Sequence, residues 1–239
     1  MKSVEGKIRK AVAQYGLIEA GDCVAVGLSG GKDSLAMLVG LAGLMKYSEI
    51  PFSLRAVTLD MCFGGKDTDF SPVTRLCESM GVEHIVKRTN LAEVIFDIRK
   101  EQNPCALCSR MRRGALHDMS IECGCNKIAL GHHMDDVVET LFMNLFNEGR
   151  LETFRPKTYL SRKNIELIRP LIFCTEREVE NASSRATLPV VKSLCPKDGH
   201  SERQKIKDFI SLMDAQYPDF LQRTFTAIQK GDISGFGLK

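Results

Sequence analysis

Short, mostly apolar segments alternate with longer amphipathic segments along most of this chain. Continuous apolar runs of four to eight residues between turn signals are typical of strands buried in a parallel sheet. The predicted strands are residues 23–28, 54–60, 83–86, 127–130 and 166–171. Helical spacing of apolar positions predicts helices over residues 33–45, 70–80, 91–100, 110–122 and 135–146. Strands that alternate with helices predict βαβ units around one parallel sheet.

The two ends of the chain carry helical patterns and no strand signal. Residues 4–15 predict an amphipathic helix, and from residue 196 onward the chain is polar with helical spacing. We therefore expect an α/β fold, a doubly wound parallel sheet of about five strands. Residues 1–195 would form the main domain, and residues 196–239 a helical tail packed on it.

Composition narrows the class of protein. Of 239 residues, 44% are hydrophobic and 26% are charged, which is ordinary for a soluble globular protein. The apolar run at residues 35–45 contains glycines and is too short to cross a bilayer, and the N-terminus lacks the apolar core of a signal peptide. We expect a cytoplasmic protein with no membrane partner. A net charge of +3 does not by itself indicate a nucleic-acid binder.

Nine cysteines are many for such a chain. An odd number without a secretory signal argues against a disulfide framework. The possible roles of these cysteines are then metal binding, catalysis or simple burial in the core, and burial is the most common of the three.

The string SGGKDS at residues 29–34 lies between the first predicted strand and its helix. Adjacent glycines let backbone N–H groups approach an anion, and the N-terminus of the following helix favours negative charge. The loop lacks the Walker A spacing, because Val26 and Asp33 stand where that motif has Gly and Ser or Thr. A tight, capped turn is the structural alternative.

This string resembles the signature of the PP-loop, or N-type, ATP pyrophosphatases. Members of that superfamily have an adenine nucleotide α-hydrolase-like, Rossmann-like fold and cleave ATP between the α- and β-phosphates. The resemblance implies that the loop holds pyrophosphate and that Asp33 helps to bind Mg²⁺.

A CxxC pair, Cys105 and Cys108, precedes several arginines at the start of a predicted helix. Helix N-termini and nearby cations favour the thiolate. Structural zinc usually needs a second such pair, and Cys123-Gly124-Cys125 has the wrong spacing. A thioredoxin-like motif is possible, although the surrounding elements do not favour that fold. With Cys195, three cysteines are also compatible with an iron–sulfur cluster.

Three segments in order resemble the tRNA 2-thiocytidine synthetases (TtcA type): CALCSRMRRG at residues 105–114, LGHHMDD at residues 130–136, and the late Cys195. The resemblance spans roughly residues 20–200. It implies a [4Fe–4S] cluster held by Cys105, Cys108 and Cys195. We expect Cys23 and Cys174 to be core residues, and the roles of Cys62, Cys77, Cys123 and Cys125 are open.

The paired carboxylates after the fourth predicted strand fall at the same sheet edge as the SGGKDS loop. Adjacent carboxylates at a helix start either cap it or bind Mg²⁺. We expect Lys32, Asp33 and Asp135 to be catalytic, and Asp33, Asp135 and Asp136 to bind Mg²⁺. The expected nucleotide-binding residues are Ser29, Gly30, Gly31, Lys32, Asp33, Ser34, Asp60, Gly131 and His132.

Basic residues form two groups, one beside the CxxC and one around residues 150–169. Such clusters bind phosphate backbones, although most charge runs are only solvated surface. The expected RNA-binding residues are Arg110, Arg112, Arg113, Arg150, Arg155 and Lys157.

The resemblance implies ATP-dependent thiolation of tRNA, in which the C2 carbonyl of an anticodon-loop cytidine is adenylated and its oxygen replaced by sulfur. ATP, Mg²⁺ and the [4Fe–4S] cluster would be the cofactors. The partners would be tRNA, a cysteine desulfurase or other sulfur donor, and a second copy in a homodimer. A lysidine-synthetase-like or other PP-loop enzyme acting on a different base or small molecule is one alternative. A non-enzymatic, metal-stabilised RNA-binding protein is the other.

Overall fold

The computed structural model describes residues 1–100, 104–196 and 202–237, in which helices and strands alternate. The helices are α1 Lys2–Tyr15, α2 Lys32–Tyr47, α3 Ser71–Ser79, α4 Pro104–Glu122, α5 Met134–Glu148, α6 Glu176–Arg185, α7 Glu202–Gln216 and α8 Phe220–Lys230. The strands are β1 Cys23–Gly27, β2 Ser53–Asp60, β3 Glu83–Arg88, β4 Lys127–Ala129, β5 Lys157–Leu160 and β6 Ile165–Ile168. A 3₁₀ turn covers Phe63–Gly65, and a π-helical turn covers Glu93–Ile98.

The six strands form one sheet in the order β3-β2-β1-β4-β6-β5. All neighbours are parallel except β5, which runs antiparallel to β6. The predicted doubly wound α/β class is therefore confirmed. Strand order reverses at β1, so the carboxyl ends of β1 and β4 form the crevice where such sheets bind ligands.

Two observed elements, β5 and α6, were not predicted from the sequence, and the strand predicted over residues 166–171 ends three residues early. β5 is an edge strand whose side chains are largely half-exposed, so it lacks a continuous apolar signal. α6 is short and strongly polar, and its capping box at Thr175 was overlooked. β6 ends at Ile168 rather than residue 171, because Arg169 and Pro170 begin a turn that closes when the Ile172 N–H donates to the Arg169 carbonyl at 3.3 Å.

Helices cover both faces of the sheet. On one face α1, α2 and α6 pack together, and their apolar residues join those of β1 in the main core. On the other face α4 packs on β2 and β4 around a smaller core. This layering explains why β1 is continuously apolar: Val24, Ala25 and Val26 are all fully buried.

The predicted tail is helical where the structure describes it. α7 and α8 pack on α5 and on each other, and the ring of Phe142 in α5 stacks on Phe220 at 5.8 Å and meets Phe209 edge-on at 5.3 Å. Residues 197–201 and 238–239 of the tail lie outside the described residues. Across the described ranges, no helix has both the length and the apolarity that a membrane crossing requires.

Candidate nucleotide and metal site

The phosphate loop joins β1 to α2 and is held by its own serines. The Ser34 hydroxyl donates to the Gly31 carbonyl at 2.9 Å and accepts the Ser29 N–H at 3.3 Å. The Gly31 N–H donates to the Ser29 hydroxyl at 3.3 Å. The loop therefore keeps a fixed, open shape at the N-terminus of α2, where backbone amides and the helix dipole favour a phosphate.

Two glycines allow close approaches around this loop. Gly30 has a φ of +83°, and a Cβ there would lie 2.9 Å from the Cβ of Val191. A Cβ on Gly131, which follows β4, would lie 3.3 Å from the Ser34 nitrogen. Backbone from the segment after α6 and from the β4 edge thus packs directly on the phosphate loop.

Lys32 and Asp33 begin α2 and face the acidic side of the crevice. The Lys32 ammonium donates to Glu176 at 3.0 Å and lies 3.6 Å from the Asp33 carboxylate. The Asp33 Oδ1 is buried and accepts no hydrogen bond. Burial raises the pKa of Asp33, and the charges of Lys32 and His133 oppose that rise. An unsatisfied buried carboxylate oxygen fits a site for a cation such as Mg²⁺.

Asp135 and Asp136 begin α5 beside this carboxylate, but they differ in availability. Asp135 uses Oδ2 to accept the Glu176 N–H at 2.7 Å. Asp136 caps α5 by accepting the His133 N–H at 2.9 Å, and its other oxygen contacts Arg203. Both oxygens of Asp136 are engaged within the protein. The carboxylate oxygens of Asp33, Asp135 and Asp136 do not all lie within 4.8 Å of one another, so the predicted Mg²⁺ site stays a prediction.

His132 lies between the ring of Phe154 and the charged groups of the acidic cluster. Its ring meets Phe154 at 5.0 Å, and the Arg169 guanidinium covers the same phenyl ring at 4.7 Å. Burial lowers the pKa of His132 to about 4, although Asp136 opposes the shift. The imidazole is thus neutral at pH 7, and its buried Nδ1 has no hydrogen-bond partner.

Asp60 lies at the end of β2, at the predicted edge, but its carboxylate is occupied. It accepts the N–H and hydroxyl of Thr68 at 2.8 and 3.0 Å and the Cys62 N–H at 3.1 Å. Asp60, Cys62 and Asp67 bring possible metal ligands within 4.8 Å of one another. Because Asp60 is 3% exposed and accepts three hydrogen bonds from the loop after β2, its side chain holds that loop, and its predicted role in nucleotide binding stays a prediction.

The three expected cluster cysteines come from two segments. Cys105 and Cys108 lie in the first two turns of α4, and Cys195 follows the segment that contacts the phosphate loop at Gly30. Burial raises the pKa of the Cys108 thiol, Arg112 opposes the rise, and charge on Cys195 and Cys105 adds to it. The three expected ligands therefore lie in one region of the molecule, and their role as cluster ligands stays a prediction.

The spacing of these thiols separates two kinds of metal site. The three sulfur atoms do not all lie within 4.8 Å of one another. A single tetrahedral zinc ion holds its sulfurs about 3.8 Å apart, given a Zn–S bond of about 2.3 Å. In this arrangement the three thiols are too far apart to bind one zinc ion together, and the predicted [4Fe–4S] ligand set stays a prediction.

The other cysteines lie elsewhere. Cys174 is completely buried, as predicted, and so is Cys77. Cys23 is half-buried in the smaller core, where its sulfur lies 3.2 Å from that of buried Cys125. Cys123 packs at the same core.

Basic residues separate into an exposed group and an engaged group. Arg110, Arg112 and Arg113 are exposed on α4 next to the cysteines, and Arg150 and Arg155 are exposed on the loop after α5. Lys157 is paired with Glu19 and Glu166 at 3.6 and 3.2 Å and donates to the Gly16 carbonyl. These contacts within the protein explain the position of the Lys157 side chain without any contact to RNA.

Sequence reasoning missed two features near the site. α7 brings Arg203 and Lys207 onto the acidic cluster, although its charges resemble those of any solvated helix. A cavity of about 920 Å³ opens between the 3₁₀ turn, the end of β3 and α4, lined in part by Cys62, Arg88 and Asn90. No sequence signal marks either feature, since both depend on packing between distant segments.

A parallel sheet with a glycine-rich phosphate loop after β1 and carboxylates after β4 defines a nucleotide-binding protein of the PP-loop class. Residues 1–211 match the PP-loop domain family. A tRNA-cytidine(32) 2-sulfurtransferase from Saccharophagus degradans is 39% identical over 98% of this chain and 75% of its own length. One from Dechloromonas aromatica is 38% identical over 95% of this chain and 79% of its own length. The chain therefore belongs to the PP-loop domain family and, within it, to the family of the tRNA-cytidine(32) 2-sulfurtransferases.

Solved structures agree with this assignment. The U34-tRNA thiolase NcsA from Methanococcus maripaludis with its [4Fe-4S] cluster superposes with a TM-score of 0.77 at 29% identity, over 95% of this chain and 78% of that one. An NH3-dependent NAD synthetase from Campylobacter jejuni shares the fold, with a TM-score of 0.50 at 13% identity, over 100% of this chain and 96% of that one.

Proposed function

We propose that this chain is an ATP-dependent tRNA sulfurtransferase that replaces the C2 oxygen of an anticodon-loop cytidine with sulfur. The observation that carries the proposal is the position of the three neighbouring cysteines. The segment leading to Cys195 lies on the phosphate loop, through a hydrogen bond from the Val191 N–H to the Gly30 carbonyl at 2.9 Å. The relatives' names point to the same chemistry.

The phosphate loop would bind and orient ATP. Amides of residues 29–34 and the N-terminus of α2 would hold the β- and γ-phosphates, and Lys32 would neutralise the leaving pyrophosphate. Asp33 and Asp135 would hold Mg²⁺, which supplies charge stabilisation to the phosphates when bound. In this scheme the cytidine C2 oxygen attacks the α-phosphorus, the bond to the β-phosphate breaks, and pyrophosphate departs.

Cys105, Cys108 and Cys195 would hold the [4Fe–4S] cluster. Three cysteine ligands would leave the cluster incompletely ligated by the protein, and the cluster would supply the chemistry that accepts and delivers sulfur. The protein's own contribution is to hold these thiols beside the ATP loop. Sulfur then forms a bond to C2 as the C–O bond breaks, and AMP leaves with the former carbonyl oxygen.

The exposed arginines of α4 would bind the tRNA. Arg110, Arg112 and Arg113 surround the cysteines, and Arg150 and Arg155 extend the basic surface. Charge neutralisation would position the anticodon loop, and the target base must leave its stack to reach the site. We propose a cysteine desulfurase as sulfur source, a homodimer as the working unit, and the cytoplasm as its location.

Protein purified without oxygen tests the cluster first. About four irons and four acid-labile sulfides per chain are expected, with a brown colour. Incubation with ATP, sulfide and unmodified tRNA should then yield 2-thiocytidine, detected by mass spectrometry of the digested tRNA. Cys108→Ser should lose the iron and the product, whereas Cys77→Ser, at a buried site away from the cluster, should keep both.

Other outcomes identify the alternatives. A protein without iron that still converts ATP to AMP with tRNA would favour a lysidine-synthetase-like reaction, which needs no cluster. RNA binding with zinc and without ATP turnover would favour a non-enzymatic protein. Either result would overturn the proposed function.

A further inference from the structure

The carboxylate of Glu176 lies between two lysines at the edge of the phosphate loop. Lys32 donates to one of its oxygens at 3.0 Å, and Lys207 of α7 donates to the other at 2.8 Å. An anion is therefore strongly held at this position.

A phosphate group would fit the same two lysines better than the carboxylate does. It offers more acceptor oxygens and more negative charge, and hydrogen bonds between ionised partners are the strong ones. Glu176 is the first residue of α6, and its side chain is 31% exposed, so it can turn toward solvent without unfolding the helix.

The charges around the loop require such an exchange. Asp33 and Glu176 both lie against the Lys32 ammonium, at 3.6 and 3.0 Å, and Asp135 accepts the Glu176 N–H at 2.7 Å. A phosphate at the loop would therefore meet three carboxylates, and like charges close together repel. Lys32 cannot neutralise Glu176 and pyrophosphate at the same time. Lys207 has a second acidic neighbour, Glu139, at 3.8 Å, so it stays near the site when Glu176 leaves.

We propose that Lys207 is a second phosphate-binding lysine of the nucleotide site, and that Glu176 is a carboxylate placeholder which the phosphates of ATP displace. This inference rests on the proposed ATP chemistry and adds a residue from the C-terminal helical region to it. α7 would thereby complete the nucleotide site when ATP arrives.

Calorimetric titration of the anaerobically purified holoenzyme with pyrophosphate and Mg²⁺, without tRNA, tests the inference. Lys207→Gln keeps most of the side chain's length and should raise the Kd about tenfold or more. Lys207→Arg should stay within about threefold of the unchanged protein. Lys230→Ala, an exposed lysine in the last turn of α8, is the matched control and should leave the Kd unchanged.

Glu176→Gln gives the sharper test, because the two possible roles predict opposite results. Removing the competing charge should tighten pyrophosphate binding about threefold or more. If the Lys207–Glu176 pair only anchors α7, both variants should lower the melting temperature while Lys207→Gln leaves pyrophosphate binding unchanged. That result, or weaker binding in Glu176→Gln, overturns the inference.

Failure of the inference is distinguishable from failure of the proposed function. If the unchanged protein binds neither ATP nor pyrophosphate, the proposed function fails, and the inference fails with it. If it binds both, and Lys32→Ala abolishes binding while Lys207→Gln does not, only the inference is wrong.

Discussion

Val191 donates its backbone N–H to the Gly30 carbonyl at 2.9 Å, and the two residues touch at the tip of the phosphate loop. Gly30 belongs to the loop that would hold ATP, and Val191 lies four positions before Cys195. This contact ties the nucleotide loop to the segment that carries the third cysteine. The two parts of the proposed site therefore share one backbone junction.

Substitution of Gly30 should disturb both parts at once. Gly30→Ala puts a Cβ 2.9 Å from Val191 at a φ of +83°, so strain of about 1–3 kcal/mol is expected. We expect weaker ATP binding and lower iron content in the same preparation, measured by calorimetry and iron assay. Gly21→Ala has a similar φ of +86° but open space around it, so it should change neither. Normal iron content in Gly30→Ala would show that the contact between Val191 and Gly30 does not support the cluster site.

The Asp33 carboxylate should be needed for activity and should lower the stability of the fold. Asp33→Asn replaces a buried carboxylate oxygen that accepts no hydrogen bond, so activity should fall on the order of 100-fold while the melting temperature does not fall. Turnover of ATP to AMP and thermal unfolding measure the two effects.

The effect on stability should depend on pH. Burial raises the pKa of Asp33, so its charged form costs folding free energy at neutral pH. That cost disappears as the pH falls and Asp33 takes up its proton. The stability gain of Asp33→Asn should therefore be present at pH 7 and absent in acid. A gain that persists unchanged in acid would contradict this cause.

Arg203 should matter for stability through Glu139. Its guanidinium contacts Glu139 at 3.1 Å, and that carboxylate is only 3% exposed. In Arg203→Met, the buried Glu139 carboxylate would keep Lys207 as a cationic neighbour, with the Lys207 ammonium 3.8 Å away. Because Arg203 is itself 37% exposed, a loss of about 1–3 kcal/mol is expected from urea unfolding, less than for a fully buried pair. The double variant Arg203→Met with Glu139→Gln should regain part of the lost free energy of unfolding. If it regains none, the buried Glu139 charge is not the cause of the loss.

The two kinds of basic residue should differ in tRNA binding. Arg112→Ala and Arg113→Ala should each weaken tRNA affinity and reduce the salt slope by about 0.7–0.9 per lost phosphate contact. Lys157→Ala should leave tRNA affinity unchanged and lower stability by up to about 1 kcal/mol, because its partners are Glu19 and Glu166. Titrations of tRNA at several salt concentrations measure these affinities. A loss of affinity in Lys157→Ala would show that Lys157 also contacts the tRNA.

The pattern of apolar and polar residues along the chain was enough to predict most of the fold. Residues 23–28 are apolar because β1 is covered on both faces, so the strand can be predicted without its neighbours. β5 could not be predicted in this way, since an edge strand with half-exposed side chains owes its conformation to its pairing with β6. α6 was missed for a related reason: it is short and polar, and its packing on α2 stabilises it.

For the candidate site, the sequence determined the candidate residues, because SGGKDS, the CxxC and the paired aspartates are contiguous strings whose residue types suit phosphate, metal and Mg²⁺. Only the tertiary structure decided which of their atoms are available. Asp33 keeps an oxygen that accepts no hydrogen bond, Asp136 has both oxygens engaged, and the Asp60 carboxylate holds its own loop. Only the structure brought Lys207 to Glu176. Availability depends on hydrogen bonds and ion pairs between segments far apart along the chain, which no local pattern records.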